Sequence, residues 1–82
     1  MSKQNINDLY KETSDLLIKL YENATKKGFH IDADLESGLF LLLLDEDYNE
    51  MILLKYRIDT AIKKIKDGTF RQGESDKIEV AA

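Results

Sequence analysis

The sequence predicts an all-α fold of two or three helices per protomer, packed in a homo-oligomer. Three observations carry that expectation. The 82 residues contain no proline to interrupt a helix. Two long stretches, near residues 7–27 and 48–66, repeat their apolar side chains at three- and four-residue steps, the period of one helix face. Between them lies Leu39-Phe40-Leu41-Leu42-Leu43-Leu44, apolar on every side. Such a helix calls for cover all round, in the centre of the molecule or at a seam with another copy or a partner. The run falls far short of the roughly 20 apolar residues that a membrane span needs, so no membrane partner is expected.

The first helix is expected from about Asn7 to Lys27, with Ile6, Leu9, Tyr10, Thr13, Leu16, Leu17, Leu20, Tyr21 and Ala24 along its inner stripe. Asn5 or Asn7 can cap its start. Lys26 and Lys27 suit the negative end of the helix dipole, and Gly28 can adopt the left-handed cap. Phe29-His30-Ile31 reads as an extended connector, with its two apolar side chains anchored and the histidine turned outward. A second helix should begin at Asp32 or Asp34, either a good N-cap, and carry the leucine run, buried centrally. Asp45-Glu46-Asp47 would sit badly at a helix C-terminus and better at the start of the next helix. From Tyr48 to Lys66, Met51, Leu54, Ile58, Ala61 and Ile65 form a heptad-like seam that Ile62 widens. Whether the second and third helices are separate or joined with a kink near Asp45 stays open at this level. Residues 1–70 are expected to form one helical domain. Residues 71–82 read as a polar, mobile tail unless Ile78 to Val80 docks on a neighbour.

Composition narrows the function classes. Sixteen acidic against twelve basic residues give a net charge of −4, which disfavours DNA and other nucleic acid as general partners. The absence of cysteine removes disulfides and thiolate metal sites. The N-terminus is polar, with no apolar stretch behind it, so a cytoplasmic location is the default.

No catalytic constellation emerges, and an enzyme is not expected. His30 lacks a partner residue type to bind a transition metal or to orient it as a base. Asp45 to Glu50 begins like a calcium loop, but Glu50 stands where the turn-making glycine belongs and Tyr56 where the bidentate glutamate belongs. The four glycines are scattered, so there is no phosphate-cradling loop. No cofactor or metal is implied.

Tyr10, Lys26 and Lys27 are the candidate ligand-binding residues. A tyrosine ring can stack on a base, and lysine ammonium groups can contact phosphates. On one straight helix Tyr10 and Lys27 lie about 25 Å apart. They meet around one ligand only if two copies of the helix lie antiparallel. Read structurally, the same residues are a tyrosine at the core's edge and lysines that offset the dipole.

Tyr10-Lys11-Glu12-Thr13-Ser14, followed by Ile18, Leu20 and the closing Lys27-Gly28, resembles the first helix of the small phage anti-CBASS proteins that sequester cyclic dinucleotide signals. Thr60-Ala61-Ile62-Lys63-Lys64-Ile65, before Thr69-Phe70, is similar in placement to a second conserved helix of that family. The resemblance implies a homohexamer with a pocket between antiparallel helices of two subunits. Tyr10 would stack on a base there, and Lys26 or Lys27 would contact phosphates. It implies a non-enzymatic, phage-type protein that binds an immune signal without cleaving it. The alternative, of another class, is a small acidic protein-binding module of a phage or bacterium: an inhibitor, immunity protein or regulator. Its acidic residues around Asp45 to Glu50 would then meet a basic host protein.

Overall fold

The computed structural model describes residues 5–31 and 34–71. Among these the chain is all-helical: α1 (Ile6–Lys27), α2 (Leu35–Leu44) and α3 (Tyr48–Asp67). Each starts on an oxygen-bearing side chain. Asn5 Oδ1 accepts from the Asn7 N–H at 2.8 Å, Asp34 from the Ser37 N–H at 3.1 Å and Asp47 from the Glu50 N–H at 3.3 Å. Of the open alternatives, Asn5 caps α1 and Asp34 caps α2, and the second and third helices are separate.

All three helices end in the same hydrogen-bonded turn. The Gly28 N–H donates to the Thr25 carbonyl and the Phe29 N–H to that of Ala24. Gly68 and Thr69 repeat this on Ile65 and Lys64, and Glu46 and Asp47 repeat it on Leu43 and Leu42. The pattern requires a left-handed residue just past the helix, which glycine adopts without strain. Gly28 and Gly68 have φ +80°, while Glu46 takes the same role at φ +55°. The acidic cluster is thus divided: Asp45 closes α2, Glu46 makes the turn and Asp47 opens α3.

The topology follows from two contacts far apart in sequence. Glu12 and Lys55, in the early halves of α1 and α3, form an ion pair at 2.7 Å. Phe29 and Phe70, just past the two helix ends, meet edge to face with ring centroids 5.0 Å apart. Helices α1 and α3 therefore run side by side in the same direction, with α2 as the short return between them. Leu9, Leu17, Leu20 and Ala24 of α1 bury against Met51, Leu54, Ile58, Ala61, Ile62 and Ile65 of α3. Leu35, Leu39 and Leu42 of α2 close the core. The expected stripes of α1 and α3 are the ones that pack.

One expectation needs correction. The run Leu39 to Leu44 is not buried as a whole within the chain. Leu39 and Leu42 are buried and Leu43 is half-buried, but Phe40, Leu41 and Leu44 remain 49%, 58% and 62% exposed. The reason is geometric: α2 lies on the outside of the α1–α3 pair, and each residue turns about 100° from the last, so only one face can reach the core. Phe70, beyond the last periodic position, is a full core residue at 4% exposure. His30 is exposed between half-buried Phe29 and Ile31, as the connector reading expects. The expected tail falls, from residue 72 onward, outside the described residues, as do Asp32 and the docking of Ile78 to Val80. Among the described residues no helix is long and apolar enough to cross a membrane.

Candidate binding face

Tyr10 sits half-buried one turn into α1, at the edge of a shallow groove of about 460 Å³ that it shares with Glu36, Ser37, Phe40 and Leu41 of α2. The position follows from spacing. Tyr10 and Tyr21, eleven residues or three turns apart, lie on the side of α1 that flanks α2, Tyr10 beside Glu36, Ser37, Phe40 and Leu41 and Tyr21 beside Asp34, Leu35 and Glu36. Tyr21 marks the other end of this side. Burial raises its hydroxyl above the ordinary tyrosine range, with the nearby charges of Asp34 and Glu36 adding to the effect and a hydrogen bond with the Leu35 backbone opposing it. Asp34 shifts the other way. The Ser37 backbone and side chain both hydrogen-bond its carboxyl, which holds it below the ordinary carboxylate range.

The three candidate residues do not come together in one chain. Lys26 and Lys27 are exposed in the last turn of α1, at the opposite end from Tyr10. They share that end with Lys64 and Lys66 in the last turn of α3, because α1 and α3 are parallel. The threonine in the Tyr10-to-Ser14 segment is internal: Thr13 is fully buried, and its hydroxyl donates to the Leu9 carbonyl at 2.7 Å. It is not available to a ligand.

What gathers beside Tyr10 is apolar and acidic. Phe40, Leu41 and Leu44 project from α2 and are exposed. In the sequence, residues 28–54 contain Asp32, Asp34, Glu36, Asp45, Glu46, Asp47 and Glu50 without a single lysine or arginine, while the remaining residues hold twelve bases against nine acids. This partition is visible in the sequence. A charge count by segment, rather than over the whole chain, finds it.

A second groove of about 450 Å³ lies between α1 and α3, lined by Leu16, Ile52, Lys55, Tyr56 and Asp59. Its charges are mixed, with Lys55 paired to Glu12 and Asp59 to Lys63 at 3.1 Å. Among the described residues no set of three His, Cys, Asp or Glu side chains is grouped to hold a metal ion. The chain matches no protein-family model, no curated protein and no solved structure.

Proposed function

We propose that this is a non-enzymatic protein-binding module of a phage or bacterium, acting in the cytoplasm through the outer face of α2. The observation that supports it is the row of large apolar side chains, Phe40, Leu41 and Leu44, left exposed on a helix whose own stretch of chain, residues 28–54, has acidic residues and no lysine or arginine. Apolar side chains clustered on one surface favour a partner that removes them from water, and the surrounding charge selects a basic one. The test compares capture by the tagged wild-type chain with capture by the double variant Phe40→Ser, Leu44→Ser. A partner retained by the first, released by salt and lost by the second supports the reading. Identical capture by both would remove α2 from the interaction.

A second reading follows from Tyr10. Its ring edges an open groove, while Lys26 and Lys27 are exposed at the other end of α1. Two antiparallel copies of α1 in a homo-oligomer, such as the hexamer that the resemblance implies, would set Tyr10 of one beside Lys26 and Lys27 of the next. The product would be a sponge for cyclic dinucleotides. Binding to the folded state alone raises the melting temperature, so cyclic dinucleotides should raise Tm in the wild type but not in Tyr10→Ala or Lys27→Ala. An equal response in all three chains rules this pocket out.

A further inference from the structure

We infer that the α2 face takes a short, basic amphipathic helix of a partner protein. The inference rests on the protein-binding reading of α2 and adds the class of partner. The centre of the surface is apolar: Phe40, Leu41 and Leu44 on the outer face of α2. Together they expose less than half of the roughly 800 Å² per side of a standard protein–protein interface. A single helix laid along α2 matches this footprint better than a broad globular surface does.

Charge complementarity selects what that helix carries. Asp34 and Glu36 stand exposed at the start of α2 and Asp45 and Glu46 at its end, roughly 15 Å away along the axis. No cation lies between residues 28 and 54 to offset them. An occupant with leucine-like side chains on one stripe and lysine or arginine two to three turns apart would satisfy both the centre and the ends.

The other occupants fit less well. A second copy placed α2 against α2 by a two-fold axis brings acidic ends together, which costs association energy. The cationic end at Lys26, Lys27, Lys64 and Lys66 has the right sign. The large exposed apolar side chains of α1 and α3, however, are Ile18, Ile52, Leu53 and Tyr56, all at least two turns from that end. Residues 72–82 of the same chain carry Glu74, Asp76 and Glu79 against Lys77 alone, the same sign as the surface they would cover.

Two labelled peptides test this, both with leucines at i, i+3, i+4 and i+7, one flanked by lysines and the other by glutamates. Fluorescence anisotropy with the full chain should show the lysine peptide binding at least about tenfold more tightly, and weakening as salt rises. Phe40→Ser with Leu44→Ser should weaken it about tenfold or more while the chain still unfolds in one cooperative transition. Glu36→Lys with Glu46→Lys should turn the preference toward the glutamate peptide. Equal affinity for both peptides, or binding that the serine variant leaves intact, overturns the inference. If neither peptide binds and the serine variant lowers the solution mass to one chain, a second copy covers α2. The inference then falls while α2 remains a protein-binding surface. If neither peptide binds and the variant changes neither mass nor captured partner, the protein-binding reading falls with it.

Discussion

Glu46 holds, at the end of α2, the left-handed backbone position that Gly28 and Gly68 hold at the ends of α1 and α3. A residue with a Cβ is strained there by about 1 kcal/mol or more, and Glu46 also stands between Asp45 and Asp47. Glu46→Gly is therefore expected to stabilise the fold by about 0.5–1 kcal/mol once the added freedom of the unfolded chain is counted. Thermal unfolding should show a rise of a few degrees in Tm, and a fall would contradict the strain argument. Asp34 gives a pH signature. Hydrogen bonds from Ser37 lower its folded-state pKa, so its contribution is complete above the unfolded carboxylate range and is lost as pH falls through the lowered value. Asp34→Asn keeps a capping oxygen but does not titrate. Its melting temperature should change less with pH on the acid side than that of the wild type.

At the level of the element, α2 separates what the sequence can tell from what packing decides. The stripes of α1 and α3 are legible because their polar residues mark the outer face. Leu39 to Leu44 has no polar residue to mark a face, so the pattern cannot distinguish Leu42 from Leu41, and only contact with α1 and α3 does. Phe70 is missed for a related reason. It follows the Gly68 turn, outside any periodicity, and its place in the core depends on Phe29, which is remote in sequence. Tyr10, Lys26 and Lys27 are legible as residue types with the right chemistry. Their separation along α1 follows from the helical rise alone, whereas the absence of lysine and arginine from the segment that carries Phe40 emerges only when charge is counted by segment. The two faces of α2 should respond differently to substitution. Leu39→Ala, at 1% exposure, is expected to cost 2–5 kcal/mol. Leu44→Ser should stay within about 0.5 kcal/mol. Denaturant titrations that gave the two equal costs would contradict the observed orientation of α2.

For the whole molecule, the core closes within one chain, so association draws on the outer surfaces. The α1–α3 groove exposes Ile52 and Tyr56 among balanced charges, and copies meeting there avoid the repulsion that α2 imposes on itself. Light scattering is expected to find more than one 9.5 kDa chain per particle. Ile52→Asp with Tyr56→Asp should return the mass to a single chain, while the serine variant of α2 should not. A wild-type monomer would remove both this surface and the antiparallel pocket at Tyr10. The parallel course of α1 and α3 also bears on how quickly the molecule forms. Neighbouring helices joined by a tight turn find each other locally, but here the main interface unites residues as far apart as Glu12 and Lys55. The intervening chain must close a long loop before most of the apolar contacts exist, and loop closure of this kind slows folding. This small helical protein should therefore fold more slowly than a helical bundle of the same length whose main interface joins two helices adjacent in sequence, with α2 held loosely until its two long neighbours have met.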